Sequence, residues 1–235
     1  MGLLIIEMGM PPEHVRSACG STAEWFLQVL GKEGGVSLRV VRPWQGDALP
    51  EPEEVAGAVI TGSWAMVTDR LDWSERTADW IRRAMAINLP LFGVCYGHQL
   101  MAHALGGRVG DNPNGGEMGA LPVTLTPEGK ADALTSTLPE TFSAYLFHQQ
   151  SVLSPPPGAV ALAASERDAC QILRYGENAC STQFHPEFTA AILTRAHEDH
   201  ASRQAGTVAP MPVEPETPWS RKLLDDFRRK VVGGK

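Results

Sequence analysis

The sequence is short of positive charge, of paired cysteines and of any long apolar run. Its 235 residues carry 20 Lys and Arg against 27 Asp and Glu, a formal net charge of −7. Proteins that grip nucleic acid neutralise phosphates with clustered Lys and Arg, so this balance argues against that class. The basic stretch Arg221–Lys230 is broken by Asp225 and Asp226 and reads as a solvated helix. The four cysteines, Cys19, Cys95, Cys170 and Cys180, show no C-x-x-C spacing, which speaks against a zinc site or a disulfide framework. The apolar run near the start, Leu3 to Ile6, is far too short for a signal peptide or a membrane span, and no basic residue precedes it. A phosphate-binding G-x-x-x-x-G-K or G-x-G-x-x-G pattern is missing as well. These absences predict a reduced, cytoplasmic protein with no metal, no cofactor, no membrane contact and no nucleic-acid partner.

What is present is an ordinary globular composition, 43% hydrophobic and 20% charged. The length suits one large α/β unit, and no break in composition divides residues 1–235. Apolar runs at Leu3–Met8, Leu38–Arg42, Gly57–Ser63 (ending in a small-residue turn) and Leu91–Val94 predict short buried strands. Helical stretches including Ala23–Leu30, Trp73–Ile87 and Gln99–Leu105 lie between or after them. That alternation predicts parallel βαβ units. The second half reads as strands with little helix: Leu121–Thr126, Phe142–Phe147, Ala159–Ala164, Gln171–Tyr175 and Ala179–Phe184. Tyr175-Gly176-Glu177-Asn178 is expected to turn a hairpin between the last two. Helices are expected again over about 189–231, joined by a proline-bearing surface connection at 205–218, with Thr217 capping and Pro218 opening the last.

The chemistry concentrates in Gly93-Val94-Cys95-Tyr96-Gly97-His98-Gln99, where a buried strand runs into a helix with a thiol at the joint. Glycines two residues to either side permit the sharp turn and the close backbone approach of a nucleophile elbow. The thiol then sits at a helix N-terminus, which favours the thiolate, and the Tyr96 amide points where an oxyanion would form. A thiol nucleophile needs a base, and the base needs an orienting group. His185 and Glu187, two apart in an extended segment, project to one side and supply both.

These two segments together resemble the class I (triad) glutamine amidotransferases, and the stand-alone proteins similar to the glutaminase domain of GMP synthase most of all. The resemblance implies a flavodoxin-like α/β fold, with a mostly parallel central sheet flanked by helices and an antiparallel hairpin extension. It assigns Cys95 as nucleophile, His185 as acid/base and Glu187 as orienting carboxylate. It puts an oxyanion donor at the amide of Gly62 or Ser63, beside Tyr96, and makes Gln99 a glutamine-binding residue. Phe147 to Val152, with Gln149 and Gln150, falls at the substrate-contacting loop. Two segments depart from the family pattern: Gly62-Ser63-Trp64 stands for Gly-Gly-Pro, and His148-Gln149 for His-Gly. The implied activity is hydrolysis of a γ-glutamyl amide through a cysteine thioester, releasing ammonia and glutamate. With no ATP-binding pattern in the chain, any ammonia acceptor is expected on a separate synthetase subunit.

Competing readings are a γ-glutamyl peptide or γ-glutamyl amine hydrolase, and a non-catalytic regulatory or scaffold subunit. The complete set Cys95, His185 and Glu187 argues against the scaffold. A cysteine α/β-hydrolase would place its carboxylate before its histidine, whereas Glu187 follows. His197, Glu198 and His200 could suggest a metal cluster but read more simply as a solvated helix face. Trp64, Trp73 and Trp80 could wall a site or a partner surface, with core packing preferred for Trp73 and Trp80. Cys19, Cys170 and Cys180 are expected to be small buried residues. Glu7, on the first strand, is not needed beside His185 and Glu187.

Overall fold

The computed structural model describes residues 1–31, 37–203, 211, 213 and 216–233. The first strand, β1 (Leu3–Ile6), is apolar at every position because both faces are covered. Leu3 and Ile5 pack into one cluster with Phe26, Phe92 and Phe227, while Leu4 and Ile6 join Ile60, Trp80 and Leu100 on the other side. Helices α1 (Glu13–Cys19) and α2 (Thr22–Leu30) follow. Ser21 starts α2 through a capping box with Glu24, and the buried Glu7 carboxylate accepts the Ala23 amide at 2.8 Å. Glu7 also pairs with Arg42 at 2.6 Å, so it anchors structure on this side of the sheet.

Strands β2 (Leu38–Val41) and β3 (Gly57–Ile60) pair with β1 in parallel. Helix α3 (Asp72–Ala86) leads to β4 (Leu91–Val94), and α4 (Tyr96–Ala104) begins at once after it. The chain then forms β5 (Arg108–Asp111), β6 (Glu117–Leu125), the short α5 (Pro127–Ala131), β7 (Thr141–His148), β8 (Gln150–Ser154), β9 (Val160–Ala164), β10 (Ile172–Arg174) and β11 (Ala179–Thr182). Helices α6 (Ala190–Arg203) and α7 (Pro218–Gly233) close it.

The central sheet has the order β2-β1-β3-β4-β11-β10-β9-β6-β7. From β2 to β11 every pairing is parallel, and the β10–β11 hairpin opens an antiparallel extension through β9, β6 and β7. Helices α2 and α7 pack on one face, where Phe227 meets Phe92 at 5.4 Å, and α3 and α4 on the other. The small antiparallel sheet β5–β8 is an addition to the expected architecture, as is α1. Pro218 opens α7 as expected, whereas most of the 205–218 connection lies outside the described residues. Among the described residues, no helix is long and apolar enough to cross a membrane.

Candidate active site

Three carboxyl-end segments meet, after β3, β4 and β11, where an open parallel sheet offers its crevice. Cys95 sits between β4 and α4 with φ 51° and ψ −101°, the strained turn that lifts a nucleophile off the sheet. The flanking glycines are there because nothing larger fits. A Cβ on Gly93 would lie 2.7 Å from the Gly97 carbonyl oxygen, and one on Gly97 would collide with the Ile60 carbonyl. The elbow is tied on both sides: the Cys95 amide donates to Thr182 at 2.8 Å, and the Gly97 amide to Thr61 at 3.1 Å.

After β11 the chain delivers His185 and Glu187. His185 Nδ1 lies 2.7 Å from Glu187 Oε1, and both side chains are buried. His185 Nε2 is buried with no hydrogen-bond partner among the described residues, leaving it for a reacting group. Burial alone would depress the imidazole, but the Glu187 carboxylate and the Cys95 sulfur outweigh it and push His185 up to about 10. The ring is held flat against Phe188, with centroids 3.9 Å apart.

Gly62 closes the third side. A Cβ there would come within 3.2 Å of His185 Cε1 and 3.7 Å of Cys95 Cβ, so this loop backbone abuts both side chains. Thr61 fixes the loop by accepting the Met8 amide and donating to the Gly62 carbonyl. The Ser63 hydroxyl accepts the Ala65 amide at 3.1 Å. The Tyr96 hydroxyl is tied to Ser74 at 2.7 Å and its ring stacks on Trp73, so burial pushes the phenol up to about 12. The Tyr96 side chain is thus structural, and its amide is the group it can offer an oxyanion.

The predicted substrate residues divide. Gln99, Gln149 and Gln150 all line the cavity beside Cys95. Gln99 Nε2 donates to the Gln150 carbonyl (2.7 Å) and to Gln183 (2.9 Å). Gln150 commits its own amide nitrogen to Thr68 and Asp111, and Gln149 stands exposed at the rim. The segment expected as a loop from Phe147 to Val152 is the tight junction of β7 and β8, because His148 ties it down. His148 Nδ1 faces the Gln150 carbonyl at 3.0 Å and Nε2 faces Glu117 at 3.1 Å. Burial would raise the Glu117 carboxyl, but hydrogen bonds from His148 and Ser165 bring it below the usual range.

Glu117 was not singled out by the sequence, since a lone Glu at a strand start carries no signal. Together with His148 and Asp168 it has the spacing of a metal site. Its Oε2 already accepts from His148, Ser165 and Gln171, however, so the cluster reads as a polar anchor for Gln99.

Some expectations need correction. His200 is not on a solvated face: it lines the cavity and packs edge-on against Phe147 at 6.1 Å. Its neighbour Asp199 is buried against Arg203 and His14, which turns this face of α6 inward. Trp80 is fully buried and Trp73, though half-buried, packs against the same core cluster, as expected of both, while Trp64 walls the cavity. Burial pushes the Cys170 thiol to about 11 and Cys180 to about 12, as suits inert core thiols, whereas Cys19 is half-buried.

Residues 18–197 match the glutamine amidotransferase class-I family. The chain belongs to this family. It is 30% identical to γ-glutamyl peptidase 4 of Arabidopsis thaliana over 187 residues, 77% of this chain and 73% of that one. It is 32% identical to the glutamine-hydrolysing GMP synthase of Aeropyrum pernix over 157 residues, 66% of this chain but 29% of that one. The chain therefore spans under a third of the synthase and most of the peptidase. A solved glutamine amidotransferase from Methylobacillus flagellatus superposes with a TM-score of 0.70 at 25% identity, covering 99% of this chain and 92% of that one. The class-I amidotransferase membership accounts for the α/β sheet and for the elbow at its carboxyl edge.

Proposed function

We propose that the protein hydrolyses γ-glutamyl amides through a thioester on Cys95. The observation that carries this reading is the buried His185–Glu187 pair, whose Nε2 has no partner among the described residues and whose imidazole, beside Cys95 in the same cavity, is raised by the Cys95 sulfur. In the proposed cycle the Cys95 thiolate attacks the γ-carbonyl carbon, and the oxyanion is held by the amides of Tyr96 and of Gly62 or Ser63. The His185 imidazolium passes its proton to the leaving nitrogen as the C–N bond breaks. Neutral His185 then takes a proton from water, whose oxygen attacks the thioester, frees glutamate and restores the thiolate beside the imidazolium. Glu187 holds the ring through Nδ1 and balances its charge. Gln99, anchored through the Gln150 carbonyl, contacts the glutamyl group, with Gln149 and Gln150 shaping the mouth.

A second reading, cleavage of γ-glutamyl peptides, is favoured by the 73% of the plant peptidase that the chain spans. If ammonia from glutamine is the useful product, its acceptor is bound by a separate synthetase chain. Glutamate release from glutamine and from γ-glutamyl dipeptides tests the proposal. The Cys95→Ala protein is expected to release none, and undiminished release from it contradicts the thioester.

A further inference from the structure

Resting on that reading, we infer that the leaving side of the site is a subsite for an uncharged, apolar, ring-bearing amine, so that the preferred substrate is the γ-glutamyl amide of such an amine. The general acid must touch the leaving nitrogen, so any substituent on that nitrogen lies on the His185 side of the thiol. An unbroken run of aromatic rings starts there. His185 stacks on Phe188, Phe188 meets Trp25 edge-on at 5.4 Å, Trp25 meets Trp64 at 6.3 Å, and Trp64 meets Phe147 at 6.3 Å. Trp25 and Phe188 are buried, but Trp64 and Phe147 are half-buried and line the cavity. Cys95 lines the same cavity as these two rings, and the Phe147 backbone carbonyl lies 3.8 Å from its sulfur. Beyond Trp64 the surface stays mainly apolar, in a groove of about 320 Å³ lined by Met8, Met10, Trp44 and Trp73 with Ser63 among them.

Gln99 and Gln150 lie where a glutamyl head group would find them, and the aromatic wall carries a neutral polar atom of its own, the Trp64 indole Nε1, buried with no partner among the described residues. Among the described residues lining the cavity there is neither lysine nor arginine. Its carboxylate, Glu187, is bonded to His185. Burial and the charge of His197 hold His200 below the usual imidazole range. A leaving amino acid would bring a carboxylate with no fixed cation to meet it, at the cost of desolvating a charge. Ammonia, for its part, would leave the wall unused. A neutral aromatic amine is the group whose shape and polarity match these surfaces.

In the reaction, the γ-glutamyl C–N bond breaks, the His185 proton goes to the amine nitrogen, and water splits the Cys95 thioester to glutamate. The test compares kcat/KM for γ-glutamylbenzylamide, glutamine and γ-glutamylglycine with the wild-type chain. The expected order puts the benzylamide about tenfold or more above both others, the scale at which a hydrophobic pocket discriminates. The Trp64→Ala protein should lose most of that advantage, with its ratio of benzylamide to glutamine activity falling about tenfold, and Trp64→Phe should recover it in part. Glutamine or γ-glutamylglycine cleaved as well as the benzylamide overturns the subsite and leaves the hydrolase reading standing. An equal loss on all substrates in Trp64→Ala, with no recovery in Trp64→Phe, overturns the subsite too. Cleavage of none of the three by the wild type overturns both.

Discussion

At the residue scale, the site turns on one proton held between a thiol and a carboxylate. Glu187 raises His185, so the folded chain binds this proton more tightly than the unfolded chain does. The resulting stabilisation is full below about pH 6.5, the free imidazole value, and is lost as pH rises toward about 10. Melting temperature measured from pH 6 to 10 should therefore fall more steeply in the wild type than in Glu187→Gln, where the charge that raises the imidazole is gone. The same substitution should lower kcat by about 10²–10⁴, because the ring loses both its orientation and its counter-charge. An unchanged pH dependence of Cys95 alkylation in Glu187→Gln would show that the carboxylate does not control the imidazole.

At the scale of elements, the elbow works because β3, β4 and α4 come closer than side chains allow. Gly97→Ala drives a Cβ into the Ile60 carbonyl, a backbone atom that cannot swing aside. The variant should unfold about 1–3 kcal/mol more easily in urea, and a wild-type midpoint would contradict this packing. The β7–β8 junction gives a different kind of expectation. Glu117→Gln leaves the hydrogen-bonding shape but removes the charge that holds His148, and through it the Gln150 carbonyl and Gln99. KM for the glutamyl substrate should rise severalfold while the rate of Cys95 alkylation holds, since the elbow is untouched. A matched loss of both would assign Glu117 a general structural role.

Much of this was legible in the sequence, for identifiable reasons. Apolar runs such as Leu91–Val94 announce buried strands, and glycines around a lone cysteine announce the turn after them. The Glu117–His148 anchor and the Phe188–Trp25–Trp64 aromatic run were not legible, because each assembles residues distant in sequence that look ordinary alone. His200 misled for a similar reason: its helix reads as polar until Asp199 and the ring of Phe147 turn that face inward.

At the scale of the whole molecule, the sheet buries polar groups that set its pH limits. His98 on α4 is fully buried, with Nδ1 on Ser181 at 2.7 Å, and burial together with the charge of His148 holds it down to about 3. The unfolded chain takes up this proton near pH 6.5 and the folded chain only near 3, so stability falls as pH drops through that window. Chemical unfolding at pH 6.5 and pH 4.5 should show a drop that is smaller in His98→Gln, and an identical drop would place the acid sensitivity elsewhere. The proposed activity as a whole stands on the thioester. Its most direct test is acid-quenched mass spectrometry of the protein during turnover of a γ-glutamyl amide. A γ-glutamyl adduct on the peptide carrying Cys95, absent from the Cys95→Ser protein, is the predicted result. Turnover without that adduct, surviving in Cys95→Ser, would contradict the account.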